Sequence, residues 1–486
     1  MTVAEHSAPG MIPDAAHTGA HRVTVRDERR ARLLLLGITL IGLALRIAGA
    51  QGSLWLDEAW SAMLAAEVKT PLGVLVGINH DNNHHLNSLW MQWLGLAAPT
   101  WQLRFLSVLT GTLSIPVAAA IARPRGIVFA LVTALLFAIS PVLVTLGSEA
   151  RGYAPMALAL MVAILFVDRT LAGDESYHRP TTLALCFVLG ALAQLTMVFG
   201  ILALTGWALI AWWRRDGFGP AIKRWFALFA LPLVALAALL GLMVFAALSA
   251  PRGFQFGYYE PFAINLFFHA MVELAGYTIG FPVITILLPL GALLLLVLAP
   301  RANPARVDFY RLAIAAFPAT MVALRAGNPG HPRYYLLVAL ALLLMLGEMI
   351  GAALMRPGRI RIAAGTALAV VAAGSLVQDA DLAINRRGDP AAAVRELARL
   401  RPKGADVLMD RNTGEAMIRI AALQARYPLR LTRLPCPAHE FVFVDRYKGE
   451  ARPVHFERCG APYAPILDHQ AHGLSGTHWT LYRRVS

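Results

Sequence analysis

Long apolar runs separated by short polar clusters dominate the first 380 residues or so of the chain. A helix that crosses a bilayer needs about 20 mostly apolar residues, and the first such run extends from Ala31 to Ala50. Together the runs predict roughly eleven membrane-spanning helices. They lie near residues 31–50, 105–122, 127–147, 154–168, 181–197, 199–213, 225–247, 281–299, 310–325, 334–354 and 362–378.

After Gln378 the apolar runs become shorter and polar residues become more frequent. Asp389-Pro390 is typical of a helix start, and an amphipathic pattern continues to Leu400. A second helix is predicted from Gly414 to Arg426. Four runs with strand-like alternation complete the tail, at residues 406–409, 429–434, 440–444 and 478–482. The pattern therefore predicts a transmembrane domain over residues 31–378 and a small α/β domain over residues 379–486.

Two loops and the N-terminal leader complete the organisation. Residues 1–30 lack apolar periodicity and predict a disordered leader. The long loop 51–104 contains a run from Leu86 to Leu94 whose helical spacing and tryptophans are typical of a membrane interface. The segment 248–278 is rich in aromatic residues and is expected to cover a cavity.

Composition supports the membrane class and sets the orientation. Hydrophobic residues make up 57% of the chain and charged residues 15%, a balance that excludes an ordinary water-soluble protein. The net charge of +14 does not indicate nucleic-acid binding, because the arginines gather in clusters after every second predicted span. We therefore expect a cytoplasmic N-terminus and a tail on the opposite face. Ala48-Gly49-Ala50 also fits a signal-peptidase site, but the long apolar run favours a retained first span.

The chain has three cysteines, which fall in two different environments. Cys186 lies within a predicted span, whereas Cys436 and Cys459 both lie in the tail. In an oxidising compartment the latter two are able to form a disulfide.

Asp57 and Glu58, directly after the first span, are the most informative polar residues. Adjacent acids are common at helix starts, where they favour the positive end of the helix dipole. A carboxylate held near an acceptor hydroxyl or amine is also able to remove its proton as a general base. Arg46, in the first span, either extends to the outer headgroups or pairs with these acids.

The segment His80 to His85 contains His80, Asp81 and His84 at spacings that would share one face of a helix. That spacing is compatible with a divalent metal ion. We favour a polar loop that contacts substrate through Asp81, His84 and His85, so no metal is predicted.

Arginine lies beside tyrosine at the outer ends of two predicted spans, as Arg151 with Tyr153 and Arg333 with Tyr334. The planar guanidinium suits phosphate recognition. The alternative for each pair is an interfacial anchor. Because both pairs face the acidic loop, we favour binding of a phosphate.

The order of these motifs resembles the GT-C class of membrane glycosyltransferases, in particular the family of dolichyl-phosphate-mannose protein mannosyltransferases and bacterial aminoarabinose lipid A transferases. The resemblance covers residues 31 to about 355. Where family members commonly have His-Pro-Pro, this chain has His84-His85-Leu86. The motifs are Arg46, Asp57-Glu58, residues 81–86, Arg104-Phe105-Leu106-Ser107, Ser140-Pro141, residues 149–153 and Arg333-Tyr334.

The resemblance implies transfer of a sugar from a polyprenyl-phosphate carrier to a lipid, glycan or protein acceptor on the non-cytoplasmic face, with inversion. It implies Asp57 and Glu58 as the catalytic residues, with Asp57 as the general base. It also implies a multi-pass location in a bacterial inner membrane with a periplasmic or extracellular tail. The alternative is a transporter or flippase for a lipid-linked sugar, which would carry out no chemistry. Neither interpretation involves nucleic acid.

Overall fold

The structure is a computed structural model that describes residues 25–251, 253–257, 259–281, 287–447 and 450–485. A helical bundle forms the first part of the chain, and a six-stranded sheet with two helices forms the C-terminal part. Residues 1–24 of the predicted leader lie outside the described residues, and α1 begins at Val25. The α-helices are α1 (Val25–Gly49), α2 (Leu56–Glu67), α3 (Pro71–Val76), α4 (His85–Leu94), α5 (Thr100–Ala122), α6 (Ile127–Ile139), α7 (Pro141–Leu146), α8 (Tyr153–Leu171), α9 (Pro180–Ala193), α10 (Met197–Asp216), α11 (Phe218–Ser249), α12 (Ile264–Ile279), α13 (Leu287–Ala302), α14 (Val307–Tyr310), α15 (Phe317–Ala323), α16 (Leu336–Leu354), α17 (Arg359–Asn385), α18 (Ala391–Leu400) and α19 (Glu415–Gln424).

The polytopic α-helical fold class is confirmed. Within the described residues, seven helices are long and apolar enough to cross a membrane, namely α1, α5, α8, α10, α11, α16 and α17. Helices α6, α9, α12 and α13 are shorter but also apolar. Each predicted apolar run contains helix, although the exact number of spans stays a prediction. Helix α12 begins within the aromatic segment 248–278, where no helix was expected.

Helix α16 lies at the centre of the bundle. Its residues from Leu336 to Met345 are all buried. A Cβ atom at Gly347 would overlap Thr133 of α6, so this glycine permits close packing of the two helices.

A buried ion-pair network joins three helices at the end of the bundle where α1 begins. Arg306 lies 2.7 Å from Asp168 and also pairs with Glu348. Tyr310 donates a hydrogen bond of 2.7 Å to Glu348. Arg306 was expected in a positively charged loop cluster; it is instead buried and neutralised by two carboxylates.

The C-terminal domain contains one mixed sheet in the order β2-β1-β3-β6-β5-β4. Its strands are β1 (Ala405–Met409), β2 (Leu429–Thr432), β3 (Phe441–Arg446), β4 (Phe456–Arg458), β5 (Ala461–His469) and β6 (His478–Arg484). Strand β1 runs parallel to β2 and β3, and the other pairs are antiparallel. Strands β4 and β5 were not predicted. Cys436 and Cys459 form a disulfide with Cα atoms 5.4 Å apart.

The sheet domain shares a hydrophobic core with the loop that follows α1. Leu54, Trp55 and Leu56 belong to the same buried cluster as Trp479 of β6 and the apolar faces of α18 and α19. The indole of Trp60 donates a hydrogen bond of 3.0 Å to the carbonyl of Thr413. This packing fixes the loop against the domain.

The junction after α17 is a tight turn anchored in the bundle. Helix α17 continues to Asn385, past the predicted boundary at residue 378, and Arg386, Arg387 and Asp389 then have positive φ angles of 51°, 56° and 35°. Such angles are costly for residues other than glycine. The fully buried Arg387 side chain donates to the carbonyl oxygens of Gly49 at 2.5 Å and Thr145 at 2.9 Å, which offsets part of that cost.

Candidate active site

The site is built around α2, whose first turn contains both predicted acids. The backbone N–H of Trp55, just before the helix, donates a hydrogen bond of 3.1 Å to Glu58 Oε2. Because successive helical residues point about 100° apart, Asp57 and Glu58 face different surroundings. Asp57 is partly exposed and faces Arg333, whereas Glu58 is fully buried.

Glu58 forms a two-pronged ion pair with Arg104 of α5. Arg104 Nε lies 2.8 Å from Glu58 Oε1, and Nη2 lies 2.6 Å from Oε2. Burial would raise the pKa of Glu58, but Arg104 outweighs this effect and the pKa lies below its ordinary value. Both carboxylate oxygens are occupied, the first also by the backbone N–H of Ala150 at 2.6 Å. Glu58 was expected to share in catalysis with Asp57, but its geometry fits a positioning residue.

Arg104 also holds the backbone that leads into α2. Its guanidinium donates to the carbonyl oxygens of Ala50 at 3.0 Å, Gln51 at 3.1 Å and Ser53 at 2.9 Å. With the Gly52 carbonyl oxygen at 3.4 Å, four carbonyls and one carboxylate meet one buried cation. This arrangement fixes the position of Asp57 relative to the bundle.

Asp57 lies between two arginines that come from distant parts of the chain. Its Oδ2 is 2.7 Å from Arg333 Nη1 and 3.6 Å from Arg151 Nη2. Burial of the carboxyl would raise its pKa, but Arg333 and Arg151 outweigh this effect and hold the pKa below its ordinary value. Asp57 is therefore ionised at neutral pH.

Asn82 links the acidic helix to Arg151. Its side-chain N–H donates to the carbonyl of Asp57 at 3.0 Å and to Ser61 Oγ at 3.0 Å, and its Oδ1 accepts from Arg151. The motif of residues 81–86 contains Asn82, but its role depends on contacts that the sequence does not specify.

Aromatic rings enclose the two guanidinium groups. Arg333 Cζ lies 5.7 Å from the ring centre of Trp55 and 5.9 Å from that of Tyr334, while Arg151 lies 6.0 Å from Tyr153. The two predicted Arg-Tyr pairs thus meet at Asp57. Several buried polar atoms have no hydrogen-bond partner among the described residues: Arg151 Nε, Arg333 Nε, Trp55 Nε1, Tyr153 OH and His84 Nε2. Unsatisfied polar atoms that converge in this way are typical of a site for a polar ligand.

The histidines of residues 80–85 occupy different environments. The segment from His80 to His84 is a turn, not the helix that the spacing suggested, and α4 begins at His85. His84 Nδ1 lies 3.2 Å from the carbonyl oxygen of Ala193, and burial lowers the pKa of His84 well below its usual value, so the ring is neutral. His84 packs 5.4 Å from Tyr153, whereas His85 is buried in the first turn of α4, where burial lowers its pKa to about 4.

Asp81 lies at the edge of the site. Its Oδ1 lies 2.8 Å from His80 Nδ1 and accepts a hydrogen bond of 3.0 Å from the backbone N–H of Gly257. The turn therefore binds the segment that follows α11. In the described part of the chain, no three His, Cys, Asp or Glu side chains group closely enough to hold a metal ion.

His331 was not predicted as a site residue. Burial lowers its pKa to about 4, with the nearby Arg333 acting in the same direction, so its ring is neutral. Its ring centre lies 5.4 Å from that of Tyr334. Its position two residues before Arg333 was the available sequence signal.

Arg46 takes neither of the two roles predicted for it. It is fully buried and donates to the carbonyl oxygens of Phe137 at 3.1 Å and Ala138 at 3.1 Å. Pro141 lacks the N–H that would otherwise bond to the Phe137 carbonyl four residues earlier. Arg46 satisfies the carbonyls left free at the break between α6 and α7.

Comparison with solved structures identifies the fold. The structure of ArnT from Cupriavidus metallidurans bound to undecaprenyl phosphate matches with a TM-score of 0.54 at 14% identity, covering 93% of this chain and 97% of that one. The oligosaccharyltransferase AglB from Archaeoglobus fulgidus, in complex with an inhibitory peptide and a dolichol-phosphate, matches with a TM-score of 0.48 at 13% identity, covering 87% of this chain and 70% of that one. Both are GT-C glycosyltransferases. No family model matches the chain, and no curated protein matches it. The GT-C-like fold that the motif order implied is confirmed.

Proposed function

We propose that this protein is a membrane glycosyltransferase that moves a sugar from a polyprenyl-phosphate carrier to an acceptor. The observation that carries the proposal is the position of the Asp57 carboxylate between Arg333 and Arg151. A base and two phosphate-binding cations are the groups that this transfer needs. The ArnT structure, with its undecaprenyl phosphate, supports a carrier of this class.

The reaction is a direct displacement at the anomeric carbon. Asp57 accepts the proton of the acceptor hydroxyl or amine, whose oxygen or nitrogen forms the new bond to that carbon. The bond from the anomeric carbon to the phosphate oxygen breaks, and its electron pair leaves with the carrier phosphate. Arg151 and Arg333 stabilise the phosphate as its charge grows. Attack opposite to the leaving group inverts the configuration.

A flippase for the same lipid-linked sugar is the alternative. Such a protein would carry polar residues through the middle of the bilayer. The buried ion pairs in the described part of the chain, such as Arg104 with Glu58 and Arg306 with Glu348, lie instead toward the two ends of the bundle.

Proteoliposomes that contain a fluorescent polyprenyl-phosphate sugar separate these two functions. A transferase removes the sugar from the labelled lipid and leaves the carrier phosphate. It does not move the intact donor between leaflets. A flippase moves the intact donor and leaves its bonds unchanged, and that outcome would reject the proposed transferase.

We expect the sheet domain and the Asp57 site to lie on the non-cytoplasmic face. A reporter that is active only outside the cytoplasm should function when fused after the C-terminal residue, because the predicted topology places the tail there. The matched fusion carries, at the same position, a reporter that is active only in the cytoplasm. Activity of this second reporter alone would overturn the orientation.

Replacing Arg151 or Arg333 by Ala should weaken the binding of a polyprenyl-phosphate sugar. A charge-assisted contact contributes roughly 1.5 to 3 kcal/mol, so we expect affinity to fall by about ten- to a hundredfold. Lys should restore only part of it, since a point charge does not reproduce the two-pronged geometry. Affinity is measured in detergent and normalised to folded protein.

Arg169 provides the matched control for these two variants. It lies 5.8 Å from the ring of Tyr177, at the opposite end of α8 from Tyr153, and so reproduces an arginine beside a tyrosine. Arg169→Ala should leave donor affinity unchanged. Unchanged affinity in Arg151→Ala and Arg333→Ala as well would return both residues to interfacial anchoring.

A further inference from the structure

The two arginines that face Asp57 are held in different ways. Arg151 is anchored, because its Nη1 donates to the carbonyl of Asp57 at 3.2 Å and to Asn82 Oδ1. Arg333 has the Asp57 carboxylate as its polar partner, at 2.7 Å, and its buried Nε has no partner among the described residues. The rings of Trp55 and Tyr334 also lie beside its guanidinium.

We propose that Arg333 is shared between Asp57 and the carrier phosphate, so that binding of the donor releases the base. In the free protein Arg333 neutralises the Asp57 carboxylate. The arriving phosphate attracts the same guanidinium, and Asp57 becomes free to accept a proton only when a donor is present. This inference rests on the proposed function and adds a coupling between donor binding and the release of the catalytic base.

The contacts of the two arginines explain why one moves and the other does not. Aromatic faces attract a cation without fixing its N–H directions, so Arg333 is able to turn between two anions at little cost. Arg151 would lose hydrogen bonds to a backbone carbonyl and to Asn82 if it moved. Arg151 therefore holds Asp57 and Asn82 in place while Arg333 changes partner.

The coupling has a consequence for binding that does not depend on turnover. Asp57 and the phosphate compete for Arg333. Each anion therefore weakens the interaction of the other with this cation, and the two effects are equal in free energy. Removing the charge of Asp57 should therefore strengthen phosphate binding, even though it removes the proposed catalytic base.

The test measures the affinity of undecaprenyl phosphate, which carries no sugar to transfer, for four proteins in detergent. These are the wild type, Asp57→Asn, Arg333→Ala and the double variant. Asp57→Asn should bind about five- to a hundredfold more tightly than the wild type. In the Arg333→Ala background the same substitution should change affinity less than about twofold, within the ordinary error of additivity.

Two further comparisons make the test specific. Glu67→Gln removes one carboxylate from the C-terminal end of the same helix, and it should not tighten binding. A thermal melt of each variant shows that the compared proteins are folded. Equal tightening with and without Arg333 would mean general charge repulsion, and it would overturn the inference.

Unchanged or weaker binding by Asp57→Asn would also overturn it. The proposed function fails in a different way, since a folded wild type that binds no undecaprenyl phosphate would contradict the carrier class itself. A wild type that binds the lipid and transfers sugar, but lacks the coupling, would contradict only the sharing of Arg333.

Discussion

Replacing Asp57 by Asn is expected to lower the rate of sugar transfer by about a hundredfold or more while the protein stays folded. Asn has nearly the same shape but cannot accept the acceptor proton. The fold should survive, because Arg104 and Glu58 hold the start of α2 independently of the Asp57 side chain. The measurement is the initial rate of carrier-phosphate release, normalised to folded protein.

Asp381 offers a control for this variant. It is an acid near the C-terminal end of α17, and its carboxylate lies 3.2 Å from His472 rather than beside Arg151 or Arg333. Asp381→Asn should retain most of the transfer rate. Near-normal transfer by Asp57→Asn would remove Asp57 from the role of base.

The second large effect is expected on stability, from Arg104→Ala. Removing one partner of a buried ion pair lowers the free energy of unfolding by roughly 3 to 5 kcal/mol, because the remaining charge stays buried without a partner. Here the substitution leaves the Glu58 carboxylate unpaired and frees the carbonyls between Ala50 and Ser53. We expect a markedly lower unfolding temperature in detergent and a loss of transfer, since the loop that positions Asp57 loosens.

Arg123 provides the contrast, since it pairs with Glu28 in a partly exposed position at the other end of the bundle. Exposed pairs contribute roughly 0 to 1 kcal/mol, so Arg123→Ala should change the unfolding temperature little. Equal destabilisation by the two variants would contradict the assignment of Arg104 as the anchor of the site.

The hydrophobic pattern predicted the helical bundle well, because apolar runs of spanning length have few alternatives. Helix α12 was missed because Glu273 and His269 interrupt its apolar sequence, and the aromatic residues nearby suggested an outer segment. Strand β5 was missed because Pro462 and Pro465 are unusual in strands. Pro465 is tolerated because it lies beyond the three residues of β5 that pair with β4 and beside an irregularity in the pairing with β6.

The candidate site was predicted in part. The sequence placed Asp57, Arg151 and Arg333 on one face, and the structure brings their side chains together. Adjacency alone did not separate the roles of Asp57 and Glu58, because the direction of each side chain depends on where α2 begins. The role of Arg46 was not predictable, since its partners are backbone carbonyls freed by a proline about 90 residues later in the sequence.

The anchoring of the sheet domain was also beyond the sequence. Its contacts join residues that are hundreds of positions apart, such as Ser53 with Asp389 at 3.0 Å and Glu149 with Ser475. Hydrophobic periodicity reports which face of an element is buried, but not which distant element covers it.

The site formed by Asp57, Arg151 and Arg333 is proposed to break the bond between a sugar and its carrier phosphate. The most direct measurement incubates the purified protein in detergent with a panel of polyprenyl-phosphate sugars and an extract of cell-envelope acceptors, followed by mass spectrometry of the lipids. The proposed mechanism predicts that one donor is converted to free polyprenyl phosphate in equal amount to a glycosylated acceptor, and that Asp57→Asn abolishes both products. Donors that all stay intact, with a folded protein that binds undecaprenyl phosphate, would contradict it.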